Sequence, residues 1–293
     1  VPELPEVESL ARFLAEQAGG RTIEKVELAA IAALKTFDPP LDALVGRTVV
    51  GADRRGKFIG LDLGDSTGDM WLVMHLARGG WVRWSDSLSP GPVKRGKGPL
   101  ALRVRFDGGG TTGFDVTEAG TEKRLAVYVV RSMDDVPGVA RLGPDVLDPS
   151  FDAAALGKVL AEHGNQQVKG VLTEQSAIAG VGNAYSDEAL FVAKLSPFRQ
   201  SGKLSDDEVE RLWSALRLVL TEAVERSLGL PAAGLKSEKK SGMRVHGRTG
   251  QPCPVCGDTV REVSFATKSL QYCPTCQTGG KPLADRRLSR LLK

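Results

Sequence analysis

Cys253, Cys256, Cys273 and Cys276 are the only cysteines in 293 residues, and they form two Cys-x-x-Cys pairs with sixteen residues between them. That spacing is the pattern of a zinc ribbon. Each pair sits on a tight knuckle that brings two thiolates to one ion, and four thiolates complete a tetrahedral shell with no open position. The ion this predicts is one structural Zn2+. Two disulfides would use the same residues, but nothing in the chain looks secreted, and a reducing cytosol keeps thiols free. Basic charge gathers around the array. Residues 236–293 hold twelve Lys or Arg against four Asp or Glu, a net of +8, whereas the whole chain is +3, which leaves −5 for residues 1–235. Such asymmetry points to a polyanion, nucleic acid first. For the stretch from Arg286-Arg287 to Lys293 alone, a solvated basic tail is the competing reading.

A second constellation is Gly180-Val-Gly182-Asn183 between two helical patterns. Two glycines let backbone N–H groups approach a ligand, and a following helix N-terminus favours a phosphate. Alone, such a turn more often just connects helices; beside a basic ribbon it becomes a backbone clamp for DNA. At the amino end, Pro2 and Glu3 read on composition as the lead-in to a helix. His75 reads as a strand histidine, His163 and His246 carry no pattern, and Trp71, Trp81 and Trp84 fall at strand spacing, as core residues do.

The elements that must hold these residues follow from periodicity. Pro5 suits a first helical turn, Glu6 and Glu8 complement its dipole, and Val7, Leu10, Leu14 and Ala18 share a face that ends at Gly19-Gly20. Strand patterns follow over 22–28, 48–52, 58–63, 71–76, 80–84, 100–106 and 125–130. Leu100, Leu102, Val104 and Phe106 alternate with Ala101, Arg103 and Arg105, and Gly108-Gly109-Gly110 reads as a hairpin turn. One helix followed by many short strands predicts a β-sandwich rather than a doubly wound sheet. Three prolines between Val136 and Pro149 mark a linker. Helices then follow over 151–163, 168–175 and 184–193, and a long one begins at the Ser205-x-x-Glu208 capping box and stops near Gly229. The fold class is α+β, with boundaries at 1–135, 136–150, 151–235 and 236–293. No run of about 18 apolar residues is present, so no membrane helix is expected, and the acidic, proline-bearing amino end is unlike a signal peptide. The expected compartment is the cytosol.

Taken together, Pro2-Glu-Leu-Pro-Glu-Val-Glu8, Arg54-Arg-Gly-Lys57, Gly180-Val-Gly-Asn183 and the four-cysteine ribbon resemble the formamidopyrimidine-DNA glycosylase / endonuclease VIII family. The likeness spans the whole chain in the right order, and the amino end is closer to the formamidopyrimidine branch. The resemblance implies an N-terminal β-sandwich, a helix-two-turn-helix module and a zinc finger, with DNA in the cleft between domains. It implies a monomeric bacterial enzyme of base excision repair at the nucleoid, acting on double-stranded DNA with damaged bases or abasic sites, with no membrane partner and no cofactor beyond zinc.

The implied chemistry gives Pro2 a role. With residue 1 removed, its secondary amine titrates near pH ~8, so part of it is neutral and nucleophilic at physiological pH. Attack at C1′ releases the base and leaves an iminium; elimination then cuts the strand. By resemblance, Glu3 protonates the sugar ring oxygen, Lys57 binds a phosphate and serves β-elimination, and Asn183 holds phosphates. The family's zinc-finger arginine corresponds to Lys268, which keeps the charge and loses the bidentate fork. Val1 as written would block Pro2 as an amide, and a GTG start read as methionine and then removed would free it.

Three departures bear on substrate. The formamidopyrimidine branch fills the gap left by a flipped base with a Met after His-Leu-Gly and with an Arg-x-Phe pair. The matching stretches here are His75-Leu-Ala-Arg78 and Thr117–Arg124, without Met or Phe, so Arg78 and Arg124 are the gap-filling candidates. The segment after Leu230 is short for a loop that closes over 8-oxoguanine. Oxidised pyrimidines, ring-opened purines and abasic sites therefore stand equally open. The reading is a bifunctional DNA glycosylase/AP lyase; the alternative is a protein that binds damage or abasic sites without glycosylase activity.

Overall fold

The computed structural model describes residues 2–65, 68–96, 98–265 and 268–284. Val1 and the basic stretch from Arg286 lie outside the described residues. Packing divides the chain into two compact units, Val1–Leu142 with Ser227–Lys236, and Gly143–Arg226 with Ser237–Lys293.

The first unit opens with helix α1 (Leu4–Ala18), whose Val7, Leu10, Leu14 and Ala18 are fully buried. Strands β1 (Ile23–Leu28), β2 (Gly51–Arg55), β3 (Phe58–Asp62), β4 (Trp71–His75), β5 (Gly80–Ser85), β6 (Leu100–Phe106), β7 (Gly113–Glu118) and β8 (Ala126–Val130) form two antiparallel sheets, ordered β1-β6-β7-β5 and β2-β3-β4-β8. Their inner faces and α1 share one apolar core containing Ile59, Leu72, Val82, Val104 and Val116. This is the sandwich that the alternating strands predict. Trp81 is buried, and Trp71 and Trp84 pack against cores.

Two strand expectations change. The expected strand 48–52 meets β2 only at Gly51-Ala52; β2 begins three residues later and runs on through polar Asp53-Arg54-Arg55, which pair with β3 at a sheet edge. Hydrophobic patterning cannot see an edge strand whose side chains are half exposed. Strand β7 had no counterpart, because part of its sequence reads as loop. Phe114 and Val116 nevertheless point into the core at the two-residue period.

The second unit contains α2 (Ala153–Glu162), α3 (Val168–Thr173), α4 (Asn183–Val192) and most of the long α5 (Asp206–Ser227). The capping box at the start of α5 is present: Ser205 N donates to Glu208 Oε2 at 2.9 Å and Glu208 N to Ser205 Oγ at 3.3 Å. A short helix α6 (Leu235–Ser241) precedes the ribbon hairpin β9 (Arg261–Ser264) and β10 (Ser269–Tyr272), followed by α7 (Pro274–Thr278). The connector Ser227–Lys236, which the sequence boundaries put with the helices up to residue 235 and with the ribbon at Lys236, groups with the sandwich. Trp81 Nε1 donates to Ala232 O at 3.0 Å, the Lys236 ammonium lies 4.5 Å from the Trp81 ring, and Leu235 is core. Among the described residues no helix is long and apolar enough to cross a membrane.

Candidate active site

Helix direction decides where the amino end lies. Gly20 N donates to Val49 O at 2.9 Å, and Glu8 Oε2 accepts from Arg54 Nε at 2.8 Å. The twelve residues between the two helix points span about 18 Å at 1.5 Å per residue. The five between the two strand points span about 17 Å at 3.4 Å per residue. Helix α1 therefore runs antiparallel to β2, and its N-terminus reaches the β2–β3 turn, Gly56-Lys57. Arg54 is almost wholly buried at 9% exposure, so its pair with Glu8 forms away from water. Burial works against the Glu8 charge, but the bonds from Arg54 and Arg12 outweigh it and hold the carboxyl below the usual range.

Glu3 is the N-cap of α1 and is buried at 3% exposure, with Pro2 buried beside it. Glu3 and Glu6 form a reciprocal capping box: Glu3 N donates to Glu6 Oε2 at 2.8 Å, and the Glu3 side chain accepts from Glu6 N. The carboxyl next to Pro2 is thus held in one orientation by a helix cap.

Strand register brings the other candidates to the same end. Phe58 pairs with His75 and His75 with Ala126, so the start of β3, the end of β4 and the start of β8 are level. In the other sheet Gly80 pairs with Glu118. The turn bearing Arg78 and the loop bearing Arg124 are joined by Ala119 N donating to Gly79 O at 3.0 Å. A Cβ on Gly79 would meet Ala119 O at 2.2 Å, so this contact requires glycine. The buried Glu118 carboxylate accepts from Arg124 N at 2.8 Å and Leu125 N at 3.0 Å, which fixes the root of that loop. The Arg124 guanidinium is exposed and 3.3 Å from Glu122. Pro2, Glu3, Lys57, Arg78 and Arg124 therefore gather at one end of the sandwich.

His75 joins them, which patterning did not indicate. Its ring lies 4.7 Å from that of Phe58. Burial and then the Lys57 charge push its pKa down, so the neutral imidazole is favoured. The available signal was its place one residue before the Leu76-Ala-Arg78 turn. Ala77 in that turn has φ +50°, a left-handed conformation that disfavours a Cβ.

Asn183 and Lys268 meet in the second unit. Asn183 is the first residue of α4, after the Gly180-Val-Gly182 turn, and its Nδ2 donates to Ser269 O at 2.8 Å. Lys268 precedes Ser269 and is exposed; its carbonyl accepts from Phe265 N at 2.7 Å across the ribbon hairpin.

The four cysteine sulfurs lie within 4.8 Å of one another. Cys253 and Cys276 are 3.9 Å apart and Cys256 and Cys273 3.4 Å apart. A Zn–S bond of about 2.3 Å sets the edge of a tetrahedron at about 3.8 Å, so one ion fits. Val245, Val260 and Phe191 pack around Cys253 and Cys273, and Gln277 Nε2 donates to Leu195 O at 2.9 Å, which seats the ribbon on the end of α4.

A sandwich, a helical module and a four-thiolate ribbon in this order define a DNA-repair glycosylase architecture. Residues 1–120 match the formamidopyrimidine-DNA glycosylase N-terminal domain, residues 142–231 the H2TH domain of the same enzymes, and residues 250–279 the zinc finger found in FPG and IleRS. A formamidopyrimidine-DNA glycosylase from Symbiobacterium thermophilum is 35% identical over 298 residues, spanning 98% of this chain and 93% of that protein. An uncharacterized formamidopyrimidine-DNA glycosylase-like protein of Mycobacterium tuberculosis is 62% identical over 161 residues, 55% of this chain and all of that one. The structure of Lactococcus lactis Fpg with abasic-site DNA superposes with a TM-score of 0.81 at 26% identity, covering 94% of this chain and 99% of that chain. Thermus thermophilus Fpg gives 0.77 at 34%, covering 96% and 100%. The chain belongs to the formamidopyrimidine-DNA glycosylase family.

Proposed function

We propose that this protein excises damaged bases from double-stranded DNA and cuts the strand at the resulting abasic site, with the Pro2 amine as nucleophile. The observation that carries the residue assignment is the convergence of Pro2, Glu3, Lys57, Arg78 and Arg124 at one end of the sandwich.

The Pro2 nitrogen adds its lone pair to C1′ as the glycosidic bond breaks; the base leaves with the electrons of that bond and takes up the N–H proton of the ammonium formed at Pro2, which restores a lone pair on the nitrogen. Glu3 delivers a proton to the ring oxygen, the C1′–O bond opens, and the Pro2 nitrogen shares its lone pair to form the iminium. The iminium acidifies the C2′ hydrogen; its removal by a base expels the 3′ phosphate, whose developing charge Lys57 stabilises, and Lys268 assists elimination. Water then hydrolyses the iminium and restores the amine. Asn183 binds phosphate beside the lesion, and Arg78 and Arg124 enter the space left by the flipped nucleotide. The zinc ion holds the ribbon and takes no part in bond making. Such an enzyme works on the nucleoid in a bacterial cytoplasm.

Pro2→Gly tests the assignment on protein whose amino terminus is residue 2. Borohydride trapping on an abasic duplex and base release should both fall at least about a hundredfold, the scale on which covalent and acid–base catalysis act, while duplex affinity holds. A glycine there still carries an α-amine able to form an imine, so the deciding result is trapping that survives acetylation of the Pro2 nitrogen, which overturns Pro2 as the nucleophile. Wild-type protein that binds damaged duplex but neither traps nor nicks supports the binding-only alternative.

A further inference from the structure

One buried charge cluster plays no part in the chemistry above. Asp187 lies one turn along α4 from Asn183, and its side chain is 0% exposed. Its Oδ1 accepts from Lys169 Nζ at 2.6 Å; its Oδ2 accepts from His246 Nδ1 at 2.7 Å and from Gln271 N at 3.2 Å. A carboxylate out of water stands only with such partners. Lys169 Nζ also donates to Asn183 O at 3.1 Å and Ser186 Oγ at 2.7 Å. Three acceptors match the three N–H of an ammonium, so Lys169 is a buried tie rather than a phosphate ligand. His246 is clamped twice: its backbone N donates to Glu188 Oε1 at 2.9 Å, and its ring faces a carboxylate, which places the proton on Nδ1.

The cluster grips the phosphate site from behind. Asn183 and Asp187, four residues apart on α4, bond β10 at Ser269 O and Gln271 N respectively. Lys268 is the residue before Ser269. Displacement of Asp187 therefore reaches both the Asn183 amide and Lys268.

We infer that His246 is a positioning residue of the DNA-phosphate site: through Asp187 and Lys169 it sets the register of Asn183 and Lys268 toward the bound backbone. This rests on the reading of Asn183 as a phosphate contact. His246 acts through Asn183, so the two are energetically coupled.

The test is fluorescence anisotropy of the zinc-loaded full chain on a duplex with a tetrahydrofuran abasic analogue, with zinc content and Tm measured alongside. His246→Leu removes the donor and should weaken binding about tenfold, the scale of one hydrogen bond to a charged group. His246→Asn keeps an N–H near the Nδ1 position and should recover affinity to within about twofold of wild type. His246→Leu combined with Asn183→Ala should lose clearly less than the product of the two single losses, within about fourfold of Asn183→Ala alone, the remainder being the share that acts through Lys268. If His246→Leu does not yield folded protein, His246→Gln, whose longer arm displaces the donor, replaces it. Wild-type affinity in the donor-removing variant, independent multiplying losses in the double variant, or no recovery with His246→Asn overturns the inference. An Asn183→Ala variant with wild-type affinity overturns the phosphate reading itself, and the inference with it.

Discussion

Glu188 offers the sharpest stability test of how the ribbon is attached. Its side chain is 2% exposed and accepts three backbone N–H bonds: from Arg244 at 2.8 Å on Oε2, and from Val245 and His246 at 2.9 Å each on Oε1. It thereby holds the chain just before the cysteine array. Glu188→Ala strips the partner from all three donors. Each buried donor left unpaired costs about 1–3 kcal/mol, and water entering the space offsets part of this, so the loss should be about 3–5 kcal/mol. Glu188→Gln keeps one oxygen for Val245 and His246 but turns an NH2 toward Arg244 N, and should cost about half as much. With a urea m-value of about 2 kcal/mol/M, the alanine variant should unfold about 1.5–2.5 M earlier in its second unit. Hydrogen exchange at 244–246 should lose its protection in step, and zinc should be released more readily, since Val245 packs with Cys253 and Cys273. A loss below about 1 kcal/mol in Glu188→Ala, or a glutamine variant less stable than the alanine one, would refute the assignment of Glu188 as the anchor.

Three further outcomes follow from the sandwich and its charges. Ala77→Gly relieves a left-handed alanine worth about 1–2 kcal/mol and adds about 0.4–1 kcal/mol of unfolded-state entropy. The variant should gain about 0.5–1 kcal/mol in chemical denaturation, and a loss would contradict the strain. The Glu8 pKa is lowered on folding, so its pairing stabilises fully above the unfolded carboxyl range and fades as pH falls through the folded value. Wild type should therefore lose stability below about pH 4.5 more steeply than Arg54→Ala, and equal acid slopes would count against the pair. Lys57 and Lys268 acting on phosphates give a slope of log affinity on log salt of about −1.8, and each alanine variant should remove about 0.9; a flat profile would contradict phosphate binding.

Some of this was legible in the chain and some was not, for physical reasons. The ribbon is fixed by local spacing, because two knuckles and a tetrahedral ion leave little freedom. Residues 206–227 announce their helix through a capping box and an apolar stripe. The amino end was legible only as a motif: composition makes Pro2 a helix lead-in, and only the pairing of Gly20 with Val49 and Glu8 with Arg54 shows where α1 points. Strand β7 and edge strand β2 were obscured by their polar residues. Asp187, Glu188, Lys169 and His246 were invisible, since buried polar residues are recognised by partners 14 to 84 positions away. His75 is the intermediate case, a strand histidine that acquires meaning from Lys57 beside it.

The central claim is the covalent role of Pro2. Its most direct test is to trap the zinc-loaded protein, started at residue 2, on an abasic duplex with borohydride, and to map the reduced adduct by tryptic mass spectrometry. The account predicts that the sugar remnant sits on the peptide Pro2–Arg12, at the proline nitrogen. A remnant on Lys57, Lys268 or any other lysine, with an unmodified Pro2 peptide, would contradict it.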